Sequence, residues 1–162
     1  MSSEDPTALT LDALRAERAA LQRDDDAISY VRRLAQARLD LVRAERSRRS
    51  AGGAGAVSDD LSAILGSHLV GGSARPPRPA DDFSDHPLSR EFDELCATLG
   101  ASQLGELDEA DLDALEAGLA DFESRRSTER RALFDRIDAL SAELVRRYRD
   151  GEADVAGLLA DD

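Results

Sequence analysis

A chain of 162 residues with 34% charged and 4% aromatic residues has little material for a globular core, and it suits long helices that bury a narrow apolar seam. Its net charge of −13 argues against nonspecific binding of nucleic acid or membranes by the whole chain. The sequence shows no signal peptide and no apolar run of roughly 18 residues, and Cys96 has no second cysteine to pair with. We therefore expect a cytoplasmic protein without an internal disulfide.

The first predicted helix spans about residues 11–49 and follows a flexible N-terminus at residues 1–10. Thr10 is the predicted N-cap, because a threonine hydroxyl can accept a hydrogen bond from an amide of the first turn. No Gly or Pro interrupts residues 7–51, so one long helix is expected. Apolar residues recur in it at heptad spacing, which predicts a coiled-coil seam. The seam residues are Leu14, Leu21, Ile28, Val31, Ala35, Leu39 and Val42.

Residues 50–88 are rich in Gly and Pro and predict a flexible linker that can hold a short helix at 58–69. Glycine-rich loops can bind phosphate, but residues 52–56 follow a helix and lack the Gly-Lys-Ser/Thr ending that such loops need. His68 and His86 lie in unrelated contexts without metal-ligand spacing. We predict no metal site.

A short amphipathic helix is predicted at 89–99 and a second long helix at about 109–150, so that residues 89–150 form one region before a tail at 151–162. The second seam consists of Leu112, Leu115, Leu119, Phe122, Leu133, Ile137, Leu140, Leu144 and Tyr148. The whole pattern predicts an all-α protein. Its core is an antiparallel two-helix coiled coil, and its long linker holds one or two short helices.

Polar side chains form a row along the first predicted helix: Asp25, Ser29, Arg32, Gln36 and Asp40. At about 100° per residue, this spacing places all five in a stripe about 80° wide and about 22 Å long. An ion-paired helix surface usually alternates acids and bases. This first row instead has an acid, a hydroxyl, a guanidinium, an amide and a second acid.

A second row repeats the spacing and order 98 positions later, with Phe in place of the amide: Glu123, Ser127, Arg130, Phe134 and Asp138. In both helices the row lies roughly a quarter turn from the apolar seam. An antiparallel pair would present both rows on the same side, whereas a parallel pair would present them on opposite sides. The sequence therefore predicts an antiparallel pair that forms one platform with two similar half-sites.

The residue types in the rows suit a ligand with guanines and phosphates. A guanidinium can donate two hydrogen bonds to N7 and O6 of guanine, and a carboxylate can accept from the N–H groups of its Watson–Crick edge. Ser and Arg can contact a phosphate, and Arg can also stack on a base. Two half-sites predict a symmetric ligand with two guanines and two phosphates.

The second half of the first row overlaps a basic segment, because residues 32–49 contain seven Arg against Asp40 and Glu45, a net charge of +5. Such a segment can attract an anionic ligand. It can equally be a solvated arginine face that binds nothing, and composition leaves both interpretations open.

The first row resembles the signature of the RsiG family of actinobacterial anti-sigma factors, E-x3-S-x2-R-x3-Q-x3-D, with Asp25 in place of the leading Glu. The resemblance covers residues 9–46 well and residues 107–148 as a looser copy, in which Phe134 departs from the Gln of the pattern. The segments that carry the similarity are LDALR at 11–15, ISYVRRL at 28–34 and QARLD at 36–40.

This resemblance implies an antiparallel coiled coil that binds a dimer of cyclic di-GMP, with one row on each helix. The loaded protein would hold the sporulation sigma factor WhiG and keep it from RNA polymerase, without binding DNA or a membrane itself. Asp25, Gln36 and Glu123 would complete the site, and Phe134 could pack on a base. The resemblance implies that Asp40 and Asp138 contact the edges of guanine and that Arg32 and Arg130 contact guanine or phosphate. It implies a supporting role for Ser29 and Ser127.

Two other function classes are alternatives to this one. A structural or adaptor coiled coil without a small ligand would have the same seam, and its rows would be solvated faces with ion pairs that each stabilise little. An enzyme is disfavoured, because no nucleophile–base pair, metal cluster or cofactor loop stands out. We therefore predict a regulatory protein without catalytic activity.

Overall fold

The computed structural model describes residues 5–52 and 82–151, and all regular structure within these ranges is helical. Three α-helices are present there: α1 at Leu11–Ser50, α2 at Pro87–Thr98 and α3 at Glu109–Arg149. Short 3-10 turns occur at Pro6–Ala8 and Ala101–Gln103. The short helix predicted at 58–69, most of the predicted linker and most of the tail lie outside the described residues.

No helix in the described part of the chain is both long enough and apolar enough to span a bilayer.

Side-chain caps explain where the helices begin. The hydroxyl Oγ1 of Thr10 accepts a hydrogen bond from the Ala13 amide at 3.2 Å, and Oδ1 of Asp108 accepts one from the Asp111 amide at 2.8 Å. Helix α2 begins two residues earlier than predicted, because Nδ1 of His86 accepts from the Leu88 amide at 3.2 Å and a proline follows directly.

The chain divides into two compact units. Among the described residues, unit 1 contains 5–28 and 127–151, and unit 2 contains 29–52 and 82–126. In unit 1 the beginning of α1 packs antiparallel to the end of α3, as the hydrogen bond from Arg15 to the Tyr148 hydroxyl illustrates. The buried core of unit 1 consists of Leu14, Leu21, Ile137, Leu140 and Leu144.

In unit 2 the end of α1 packs antiparallel to the beginning of α3, and α2 covers the same core. The rings of Phe92 and Phe122 have their centroids 5.4 Å apart. The C-terminal end of α2 approaches α3 closely at Gly118, where a Cβ atom would lie 2.6 Å from Cδ1 of Leu99. The buried core consists of Val31, Ala35, Leu39, Val42, Phe92, Ala101, Leu112, Leu115, Leu119 and Phe122.

Helix α2 is also attached by charge. The Nη2 atom of the buried Arg126 donates to both carboxylate oxygens of Glu91, at 2.9 and 3.1 Å. The same guanidinium lies over the Phe122 ring, 5.1 Å from its centroid. The ion pair between Arg126 and Glu91 thus lies at one edge of the apolar core of unit 2 and attaches α2 to α3 there.

The predicted fold class is confirmed. Every predicted seam residue of α1 is buried, and so is every predicted seam residue of α3 except Leu133 and Tyr148, which are partly buried at the edge of the unit 1 core. In both units the two long helices pair antiparallel through this seam, as expected for a two-helix coiled coil.

Candidate functional site

In unit 2, the arginine and the amide of the first row meet the leading acid of the second row. Nε and Nη2 of Arg32 donate to Oε1 of Glu123 at 3.0 and 2.6 Å. Nε2 of Gln36 donates to the same oxygen at 3.3 Å. The side chains of Arg32 and Glu123 are 21% and 22% exposed, so this Arg32 cluster, formed by these three residues, can be reached from solvent.

In unit 1, the arginine of the second row meets the leading acid of the first row. Nε of Arg130 donates to Oδ1 of Asp25 at 2.8 Å, and these side chains are 33% and 16% exposed. The guanidinium also lies over the ring of Phe134, 4.7 Å from its centroid. Asp25, Arg130 and Phe134 form the Arg130 cluster.

The remaining row residues extend each cluster by about one helical turn. Ser29 and Ser127 are half-buried, one turn before the arginines of their rows. Asp40 is 24% exposed and accepts a hydrogen bond from Nη1 of Arg43 at 3.2 Å, and Asp138 is exposed. The clustered residues and these four together are the ten residues of the two rows.

The reciprocal pairing is a feature that the sequence analysis missed. The signal was available, because Asp25 and Arg32 are separated by seven positions, as are Glu123 and Arg130. In an antiparallel pair, a register that brings the arginine of one row to the leading acid of the other therefore does so for both rows.

Each cluster holds an arginine that is fixed on one side and exposed on another. A guanidinium has five N–H donors, of which Glu123 takes two from Arg32 and Asp25 takes one from Arg130. A ligand with two neighbouring acceptors, such as a phosphate or the N7/O6 edge of guanine, matches the remaining donors. In each cluster the acid holds the arginine in place.

The described residues contain no group of three or more His, Cys, Asp or Glu side chains that could hold a metal ion. The two carboxyls whose pKa is strongly lowered, Glu45 and Glu143, lie outside the two rows, near the C-terminal ends of the long helices.

No curated protein matches the chain. The model of a family described as RsiG-like matches residues 1–65 and 99–161, which together cover well over half of the sequence and include both rows. The chain therefore belongs to the RsiG-like family.

Proposed function

We propose that this protein is an anti-sigma factor that binds cyclic di-GMP at its two rows and, so loaded, sequesters a WhiG-type sigma factor and represses sporulation genes. Membership of the RsiG-like family implies anti-sigma function and a sigma-factor partner. The RsiG-like family is a regulatory family and not an enzyme family. The nucleotide, its dimeric form and the identity of the sigma factor are the proposed part.

One observation supports the ligand most directly. Two separate units hold the same arrangement, in which a partly exposed arginine of one row is bonded to the leading acid of the other. Duplicated half-sites of this kind match a ligand with duplicated guanines and phosphates. In each, the arginine would donate to N7 and O6 of guanine or to a phosphate.

The other row residues complete the proposed site. Asp40 and Asp138 would accept hydrogen bonds from the Watson–Crick N–H groups of guanine, and Ser29 and Ser127 would donate to phosphate oxygens. Cyclic di-GMP would act as a regulatory ligand that is not turned over.

Calorimetric titration of the full chain with cyclic di-GMP tests this function. Wild type should bind at micromolar ligand, and the Arg32→Ala/Arg130→Ala double variant should weaken binding by at least about tenfold while helicity by circular dichroism is unchanged. Arg33→Ala and Arg131→Ala are matched controls, because they remove the same charge from exposed neighbouring positions. Absence of heat with wild type, with and without the sigma factor, would contradict the proposal.

A structural or adaptor coiled coil is the second candidate, and the same two ion pairs favour it, because each joins one long helix to the other within its unit. If the pairs serve only to hold the helices together, the Arg32→Ala/Arg130→Ala double variant should lower the melting temperature and leave capture of the partner protein unchanged. Loss of capture with retained helicity would exclude this role.

A further inference from the structure

The two clusters differ in how their arginines are held. Arg32 donates from both Nε and Nη2 to Glu123, and Gln36 shares the accepting oxygen. Arg130 donates to Asp25 from Nε, and its outer nitrogens Nη1 and Nη2 make no hydrogen bond to a described residue. The outer edge of Arg130 is therefore open to a ligand, whereas the outer edge of Arg32 is partly bound to an acid.

Phe134 supports Arg130, which makes fewer hydrogen bonds than Arg32 does. Arg130 and Phe134 are four residues apart on α3, so their side chains lie on the same face of the helix. The ring centroid lies 4.7 Å from the guanidinium carbon, within the range of an attractive cation–π contact. A phenyl ring has neither donor nor acceptor groups, so it supports the plane of the guanidinium without using any of its N–H groups.

The exposure of Phe134 is also unusual. Its side chain is 39% exposed, and Val145 is the other large apolar residue that is exposed in the described part of the chain. Phe134 does not belong to the buried core of unit 1. Its contact with Arg130 is thus an interaction at the surface of the candidate site, where a glutamine stands at the matching position of the first row.

We propose that Phe134 is a positioning residue that holds Arg130 ready for end-on recognition, in which Nη1 and Nη2 both donate hydrogen bonds to a guanine or a phosphate. The Arg130 cluster then binds the nucleotide first and more tightly than the Arg32 cluster. The inference rests on the proposed function, which supplies the ligand. The row that departs from the family pattern is then the stronger half-site of this chain.

The physical reason is preorganisation. End-on recognition uses Nη1 and Nη2 together, and at Arg130 both can bind a ligand while Nε stays on Asp25. At Arg32 the same approach requires the 2.6 Å bond from Nη2 to Glu123 to be broken or shared. A side chain that is already ordered also loses less conformational entropy on binding, an effect of about two- to tenfold in affinity.

Calorimetric titration of full-length variants with cyclic di-GMP separates the two half-sites. Arg32→Ala should keep a tight binding step, whereas Arg130→Ala should lose it. Phe134→Leu keeps an apolar side chain without a π face and should weaken the tight step about three- to tenfold. Phe134→Gln should weaken it similarly, because it recreates the arrangement of the first row. Val145→Ala removes an exposed apolar side chain elsewhere on α3 and should change nothing.

A second measurement reports positioning directly. In NMR spectra of the ligand-free full chain, the side-chain Nε–H signal of Arg130 should be shifted by the ring current of Phe134. The Phe134→Leu variant should lose this shift while backbone signals of α3 outside the site are retained. A merely structural role of the ring would not affect the nucleotide titration.

The outcomes distinguish this inference from the proposed function. Wild type that binds cyclic di-GMP, with Arg32→Ala and Arg130→Ala equally impaired or with Phe134→Leu unchanged, overturns the inference alone. Wild type that binds no cyclic di-GMP overturns the proposed function and this inference with it. A tight step that survives Arg32→Ala and weakens in Phe134→Leu supports both.

Discussion

Two glutamates near the C-terminal ends of the long helices are buried beside arginines of the same helix. Glu45 is 1% exposed and accepts hydrogen bonds from Arg48 and Arg49, with distances of 2.7–2.8 Å. Hydrogen bonds from Arg48, opposed by burial, lower the pKa of the Glu45 carboxyl from 4.5 to about 2. A buried charge of this kind is tolerated because two guanidinium groups satisfy its oxygens.

Glu143 in unit 1 has the same environment as Glu45 in unit 2. Its carboxyl accepts from Arg146 at 2.8 and 2.9 Å and from Arg147 at 2.7 Å. The hydrogen bonds from Arg146 and then Arg147 lower the pKa of Glu143 from 4.5 to about 2.

A fall in pH should destabilise these helix ends over a defined range. The pKa of each carboxyl is lower in the folded than in the unfolded chain, so the stabilisation is complete above about pH 4.5 and is lost as the pH falls towards 2. We expect Glu45→Gln to lower the melting temperature at pH 7, followed by circular dichroism, with a difference from wild type that shrinks between pH 4.5 and 2. Glu106→Gln, at an exposed position, is the control. A difference that stays constant over this range would contradict the argument.

Whole elements repeat as well as single residues. The cap of α1 at Thr10 and the cap of α3 at Asp108 lie 98 positions apart, as the two rows do. Arg49 donates to the carbonyl groups of Leu104 and Gly105 at the turn before α3. Each long helix is thus capped by its own sequence, and the turn before α3 is held by the end of α1.

The turn before α1 is held in the matching way within unit 1. Nη1 of Arg147 donates to the Leu9 carbonyl at 2.7 Å, and Nη2 donates to the Pro6 and Thr7 carbonyl groups at 3.4 and 3.1 Å. The Glu143 carboxyl orients Arg147 for these bonds, as Glu45 orients Arg49. The C-terminal end of one helix therefore orders the turn that starts the other.

Loss of either cap should cost a similar amount of stability. Thr10→Ala and Asp108→Ala each remove the acceptor for one amide of the first turn, which should lower the free energy of unfolding by about 1 kcal/mol. Urea denaturation measures this value, and Thr10→Ser and Asp108→Asn, which keep an acceptor, should stay within a few tenths of a kcal/mol of wild type. Alanine variants as stable as wild type would show that these caps do not contribute.

At the scale of the whole molecule, a net charge of −13 contrasts with the basic segment at residues 32–49. Within the rows, acids already pair with arginines. In the ligand-free protein, a partner that contacts the rows would therefore find their charges largely neutralised. A bound nucleotide would add bases and phosphates that the partner can contact. We therefore expect the nucleotide itself to complete the surface that the sigma factor binds.

Capture of the sigma factor should therefore depend on cyclic di-GMP. Binding of a purified WhiG-type sigma factor to the immobilised full chain should be at least about fivefold tighter with the nucleotide than without it. By thermodynamic linkage, the sigma factor should raise the affinity for the nucleotide by the same factor. The Arg32→Ala/Arg130→Ala double variant should lose the dependence. Equal capture with and without nucleotide would contradict this expectation.

The sequence by itself determined the helices, their seams and the family. Heptad spacing predicted the residues buried between α1 and α3, and Thr10 was identified as a cap, because periodicity and capping are local properties of a helix. The predicted start of α2 is two residues late, because the cap at His86 and the proline after it allow the helix to begin at Pro87.

Only the tertiary structure decided which charged groups meet. The contacts of Arg32 with Glu123 and of Arg130 with Asp25 join residues 91 and 105 positions apart, so they depend on the register in which two helices pack. The same holds for the burial of Glu45 and Glu143. Phe134 appeared in the sequence as a departure from a pattern, and its contact with Arg130 became a feature of the site once the side-chain positions were known. Local spacing fixes the face of a helix on which a residue lies, whereas packing fixes its neighbours.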